Sequence, residues 1–136
     1  MAMTIKEVCT KYQISPDTLR YYEKVGVIPT VHRSRGGIRE FTEEDIGWVE
    51  NAICFRDAGM SVEDLAEYVR LFQEGDETIL SRTELLRKVR EDVKKSMEKY
   101  QKALSKLDYK IRRYEEAERT GVLSWDTLED DKENYR

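Results

Sequence analysis

Along the first 75 positions, apolar residues recur at helical spacing in four short blocks, each with its own start signal. Thr4 with Glu7 three residues later forms a capping box ahead of a run from Ile5 to Tyr12. Ser15 is a good N-cap, and Pro16 suits the first helical position, where a missing N–H costs nothing. That second helix carries Leu19 and Tyr22 and is predicted to end near Val25, because Gly26 can take the left-handed conformation. Two short helices joined by a few residues make a helix-turn-helix. Helical spacing then lapses. Between Val31 and Phe41 the pair Gly36-Gly37 sits between strand-like flanks, which predicts a β-hairpin with both glycines supplying positive φ. A third helix starts at Thr42-Glu43-Glu44-Asp45, with Ile46, Val49 and Ile53 on its apolar face and Gly59 at its close. Ser61 with Asp64 caps a fourth, whose inner side is Leu65, Tyr68, Val69 and Phe72, and Gln73-Glu74-Gly75-Asp76 breaks it.

The pattern changes after that break. From about Thr78 to Thr120 there is neither Gly nor Pro. Leu86, Val93, Tyr100, Leu107 and Tyr114 recur every seven residues, with Met97, Leu104 and Ile111 interleaved. From Val93 to Tyr114 the steps alternate four and three, a narrow seam about three heptads long. Such a stripe cannot be buried by its own helix. It either folds back on the N-terminal unit or pairs with a second copy; its narrowness on so polar a helix favours self-pairing, with no preference between parallel and antiparallel. The expected fold class is therefore mainly α. A winged helix-turn-helix over 1–75 leads into a long coiled-coil dimerisation helix over 76–120. A short C-terminal segment and acidic tail over 121–136 is expected to lack order beyond the apolar patch Val122-Leu123-Ser124-Trp125.

Charge sharpens this division. The net charge of −4 is the sum of segments that disagree in sign. Residues 4–39 hold seven basic against three acidic side chains, and residues 40–77 hold two against twelve. Residues 78–119 hold thirteen against eight, and the last stretch two against five. An acidic average would argue against nucleic acid, but a compact basic N-terminal unit with Arg33, Arg35 and Arg39 on its hairpin argues for it. No apolar run approaches bilayer length, no charged-then-apolar leader is present, and the two cysteines, Cys9 and Cys54, form no disulfide framework. A cytoplasmic protein without a membrane partner is expected.

Thr18-Leu19-Arg20-Tyr21-Tyr22-Glu23-Lys24-Val25-Gly26-Val27-Ile28-Pro29 resembles the signature of the MerR family of transcriptional regulators. Arg35-Gly36-Gly37-Ile38-Arg39-Glu40-Phe41 resembles the family's wing, and Arg56-Asp57-Ala58-Gly59-Met60-Ser61 its third-to-fourth helix junction. The resemblance covers residues 4 to about 115. It implies a homodimer with two DNA-binding units swapped around an antiparallel coiled coil, which distorts double-stranded promoter DNA to bring it into register for RNA polymerase. The deformation costs a few kcal/mol, offset by protein contacts. It places the second helix in the major groove, with Asp17, Thr18 and Arg20 toward base edges or nearby phosphates. Tyr21, Tyr22, Arg33, Arg35 and Arg39 fall to phosphate contacts, which position without specifying. Alternatives stand beside these roles. One of the two tyrosines can serve as core, as Leu19 does, and Arg39 can brace the wing against an acid such as Glu23. The implied dimer interface is Val93, Met97, Tyr100, Leu104, Leu107, Ile111 and Tyr114.

Metal-sensing members of the family carry cysteines at the start of the long helix and in the loop after it. Here those places hold Ile79, Ser81 and Gly121-Val122-Leu123, so no metal, iron–sulfur cluster or other cofactor is expected. Around Cys54, the run Ile53-Cys54-Phe55-Arg56 resembles the aldehyde- and thiol-stress-responsive branch of the family, the AdhR/NmlR type. That makes Cys54 a candidate sensor thiol for a small electrophile, with Arg56 positioned to favour the thiolate. The alternative is an inert small residue packed beside Ile53 and Phe55; Cys9, near Val8, is expected in the core. A thiol enzyme would need a base beside Cys54. The only histidine, His32, belongs to the wing, so no enzyme is expected.

Overall fold

The computed structural model describes residues 2–125. Helices α1 (Ile5–Tyr12), α2 (Pro16–Val25), α3 (Glu43–Asp57), α4 (Val62–Glu74) and α5 (Ile79–Thr120) follow in order, with a 3-10 turn at Asp76–Thr78 before α5. Each early helix starts where its capping chemistry lies. The Glu7 N–H donates to Thr4 Oγ1 at 3.1 Å, and the Thr4 N–H donates back to Glu7 Oε1 at 3.0 Å. Those bonds hold the Glu7 carboxyl below its usual range. At α2 the Thr18 N–H donates to Ser15 Oγ at 3.1 Å, and Gly26 closes the helix at φ 86°. A second capping box joins Thr42 and Asp45. Ser61 caps α4 through the Asp64 N–H, while the Asp64 carboxylate meets Lys88 Nζ at 3.3 Å.

The chain divides into two compact units, one up to Arg90 and one from Glu91 onward. The first closes a core of its own. Val8, Leu19, Val27, Ile28, Phe41, Val49 and Leu65 are essentially sealed from solvent, with Val31, Ala52, Met60, Val69, Leu71 and Val89 around them. At roughly 1.5–3 kcal/mol for each large side chain taken out of water, this burial is what holds four short helices together.

Three expectations are corrected at this level. The inner face of α3 is Asp45, Val49 and Ala52, with Ile46 and Ile53 only half-buried. On α4 the inward position is Leu71. Phe72 lies outside, where its ring packs edge-on to Trp48 at 5.0 Å and under the Arg82 guanidinium. The hairpin reduces to isolated bridges, Arg33 to Arg39 and Met3 to Phe41, with no strand among the described residues. Of the paired glycines only Gly37 takes a positive φ, 81°. Two backbone bonds, from the Ser34 N–H to the Ile38 carbonyl at 2.8 Å and from the Glu40 N–H to the His32 carbonyl at 2.7 Å, close the turn, and side-chain ties described below add to them.

The second unit contains the remaining turns of α5, a 42-residue helix in all. Met97, Tyr100, Leu104, Leu107, Ile111 and Tyr114 are exposed along it, Tyr100 to 73%, and Val93 is half-buried. At Gly121 the chain turns in the left-handed region. Arg113 donates from Nε to the Ser124 carbonyl at 2.8 Å, and Trp125 packs against Tyr109 and Tyr114. Within the expected C-terminal segment, the acidic tail at 126–136 lies outside the described residues.

Candidate nucleic-acid interface

Helix α2 separates its sequence into an inner line and an outer one. Leu19 is buried, and the Tyr22 carbonyl accepts the N–H groups of Gly26, Val27 and Ile28, folding the chain tightly after the helix. Asp17, Arg20 and Tyr21 are exposed, and Thr18 and Tyr22 are half-buried. Arg20 Nη1 lies 3.2 Å from Asp17 Oδ1, an exposed pair one turn apart. Such a pair contributes little to stability and is easily exchanged for a stronger acceptor. The rings of Tyr21 and Tyr22 sit 6.4 Å apart, so the two tyrosines form one patch with an open side and a packed side. Cys9, on α1, is half-buried; burial raises its thiol above the usual range, and Arg20 pulls the other way.

Glu23 is the joint between α2 and the wing. Its Oε1 accepts from Arg39 Nε at 2.8 Å and lies 3.8 Å from Arg33 Nη2, while its Oε2 accepts the Val31 N–H at 2.7 Å. Arg39 therefore takes up the brace to Glu23. Arg33 also donates to the Gly37 carbonyl at 2.9 Å and closes the wing from within. The tip is further fixed by the Ser34 N–H donating to the Ile38 carbonyl at 2.8 Å. At that tip Arg35 is exposed and has no ion-pair partner among the described residues.

The other side of the wing is held by a group that sequence reasoning named only as a helix start. Asp45 is 5% exposed, and its Oδ2 accepts from the Thr42 N–H at 2.9 Å and the Thr42 hydroxyl at 3.0 Å. The same oxygen faces His32 Nδ1 at 2.8 Å. Burial pushes the Asp45 carboxyl up, but the bonds from Thr42 and His32 outweigh it and hold the group below its usual range. The same bond raises the His32 imidazole. The helix start at Thr42-Glu43-Glu44-Asp45 and the lone His32 were separate marks in the sequence; nothing in their spacing joined them. Cys54 is exposed on α3, and Arg56 Nη1 donates to the Met60 carbonyl at the end of that helix.

The arrangement is a helix with an exposed basic and aromatic edge, tied through Glu23 to a wing whose tip carries an arginine without an ion-pair partner among the described residues. Comparison with known proteins agrees. Residues 3–71 match the MerR HTH family regulatory protein family. AdhR, an HTH-type transcriptional regulator of Bacillus subtilis, is 49% identical over 84 residues. That match covers 62% of this chain and 60% of AdhR, so the chain spans three fifths of that relative's length. A putative MerR family transcriptional regulator from Listeria monocytogenes superposes with a TM-score of 0.79 at 43% identity, covering 83% of this chain and 86% of that one. HiNmlR, described as a MerR family regulator lacking the sensor domain and bound to promoter DNA, superposes with a TM-score of 0.82 at 32% identity, covering 90% and 98%. The chain thus belongs to the MerR family of HTH-type transcriptional regulators.

Proposed function

We propose that the protein acts as a homodimer that binds and distorts promoter DNA for RNA polymerase, with residues 1–75 as the DNA-binding domain and 76–120 as the dimerisation helix. The observation that carries this reading is the Glu23 joint, which fixes the outer edge of α2 and the tip of the wing as one surface. On it, Asp17, Thr18 and Arg20 face base edges, and Tyr21, Tyr22, Arg33 and Arg35 face phosphates. Arg39, already engaged by Glu23, sets the wing's angle. The apolar stripe from Val93 through Met97, Tyr100, Leu104, Leu107 and Ile111 to Tyr114 supports pairing with a second copy, since so much exposed apolar surface on one line requires a cover. Footprinting and binding titrations on the promoter upstream of its own gene test the reading. Protection of two half-sites in the major groove, lost in Arg20→Ala, is the expected result; protection that survives both Arg20→Ala and Arg35→Ala overturns it.

A second reading concerns the trigger. HiNmlR, matched over 98% of its length, is described as lacking the sensor domain, which favours control at the chain's own side chains over a separate ligand domain. Cys54 is exposed on α3, open to a small electrophile or aldehyde, and AdhR is the 49% identical relative. Transcription from purified components, with and without formaldehyde, compares wild type and Cys54→Ser. Activation of the wild type alone supports a thiol switch. Identical responses make Cys54 structural.

A further inference from the structure

The part of α5 beyond Glu91 carries a second line beside the apolar seam. Lys95, Lys99, Lys102, Lys106, Lys110 and Arg113 follow at steps of four, three, four, four and three. At about 100° per residue they fall within an arc of about 80°, separate from the arc of Leu104, Leu107 and Ile111. The ladder runs about 27 Å at a rise of 1.5 Å per residue. Between Val93 and Arg113 the only acids are Glu98 and Asp108. Lys95, Lys99, Lys102 and Lys106 have no acidic partner among the described residues. Four like charges, Lys95, Lys99, Lys102 and Lys106, crowded on one helix face are destabilising, so that stretch has reason to hold a polyanion.

The chain itself brings one there. Past Gly121 it turns back along α5. Ser124 is held by Arg113, from Nε to its carbonyl and from Nη2 to its hydroxyl at 2.9 Å. The Trp125 ring then lies 6.1 Å from Tyr109 and 5.0 Å from Lys110 Nζ. Residue 124 thus meets 113 and residue 125 meets 109 and 110: the chain runs antiparallel to the helix and arrives on the ladder's last rungs. Eleven residues follow, with acids at Asp126, Glu129, Asp130, Asp131 and Glu133 against Lys132 and Arg136. Extended, they reach about 36 Å, more than the roughly 22 Å from Lys110 to Lys95.

We propose that the lysine ladder of α5 is the docking surface for the chain's own acidic tail, residues 126–136. Docked, the tail acts as a tethered stand-in for phosphate and keeps a basic surface outside the reading helix from gripping DNA of arbitrary sequence. Only that consequence rests on the DNA-binding reading; the docking itself does not.

The test uses the full-length protein in two stages. Zero-length carbodiimide cross-linking of a mixture of isotopically light and heavy chains, without DNA, is expected to join tail carboxylates to Lys99, Lys102 or Lys106 of the same chain, and to lose those links at high salt. Absence of such links, or links solely between light and heavy chains, overturns the proposal. In the second stage, the tail variant Glu129→Gln/Asp130→Asn/Asp131→Asn is titrated on a random duplex. Its affinity is expected to rise about tenfold with a salt slope steeper by about three, as freed lysines neutralise phosphates. Adding Lys95→Gln, Lys99→Gln and Lys102→Gln should cancel that gain; a gain that survives them overturns the ladder as the tail's seat. Failure of operator protection with intact intrachain links would sink the DNA-binding reading and leave the docking standing.

Discussion

The unit up to Arg90 and the helix beyond it use the same kinds of side chain and treat them in opposite ways. Leu19, Val49 and Leu65 are sealed, whereas Met97, Leu104 and Leu107 stand open, each more than half exposed. The difference is one of dimension. Four helices and a wing surround a volume, so each helix finds its cover in its neighbours. A single rod encloses nothing, and its stripe waits for another rod. Apolar periodicity therefore reports that a face needs covering; whether the cover comes from the same chain is decided by how many other elements lie close in sequence.

Perturbing each region separately should break this contrast, and the largest effect belongs to the open stripe. Replacing Leu104 and Leu107 together with Asp should convert dimers to monomers in sedimentation while the N-terminal unit keeps its helical signal. A dimer that survives removes α5 as the interface. Next in size is the closed core: Phe41→Ala should cost about 3–5 kcal/mol in urea unfolding, because the ring is fully buried. A cost near zero would mean that the wing's root is looser than its burial implies. Smaller is Arg20→Ala, expected to lose about 1–3 kcal/mol on the operator and to relax discrimination at one base pair. Arg35→Ala should weaken binding to all sequences alike and shallow the salt slope by roughly one. If each mutant behaves as the other is expected to, the assignment of helix to bases and wing to phosphates is reversed.

The smallest effect sharpens the wing's attachment. His32 has its pKa raised in the fold, so its contribution is complete below its ordinary value of about 6.5 and fades as pH climbs through the raised one. Asp45 is depressed, so its contribution holds above the ordinary carboxylate range and fades as pH falls through the lowered value. The brace is strongest between the two. Unfolding midpoints of wild type and His32→Gln should differ most in that window and converge as the medium becomes alkaline; a constant gap across pH would assign His32 a packing role alone.

Most helix ends were legible, because caps are local: Thr4 with Glu7, Ser15 with Pro16, and Gly26 each act within four residues. The inner faces were less so. Ile46 and Ile53 carry more apolar surface than Ala52, yet the close approach of neighbouring elements selects the small residue and the capped acid. The wing's glycines suggested a strand pair, where a single antiparallel bridge with two backbone bonds is supplemented by side-chain ties. Among candidate site residues, Arg39's brace to Glu23 was legible as an alternative, since Glu23 is the one acid in the second half of a helix that leads into a basic wing. The tie between His32 and Asp45 was not, because it depends on the wing's path back to the start of the third helix.

The Glu23 carboxylate has a further consequence. With one oxygen given to Arg39 and the other to the Val31 amide, it leaves little play between helix and wing. A clamp whose jaws share one hinge pin cannot open to suit its workpiece. On the proposed DNA docking, any misfit between the spacing of jaw and tip and the resting geometry of a duplex falls to the duplex, so sequences that yield easily at the flexible steps between the contacted bases are expected to bind better than stiff ones bearing identical contacts.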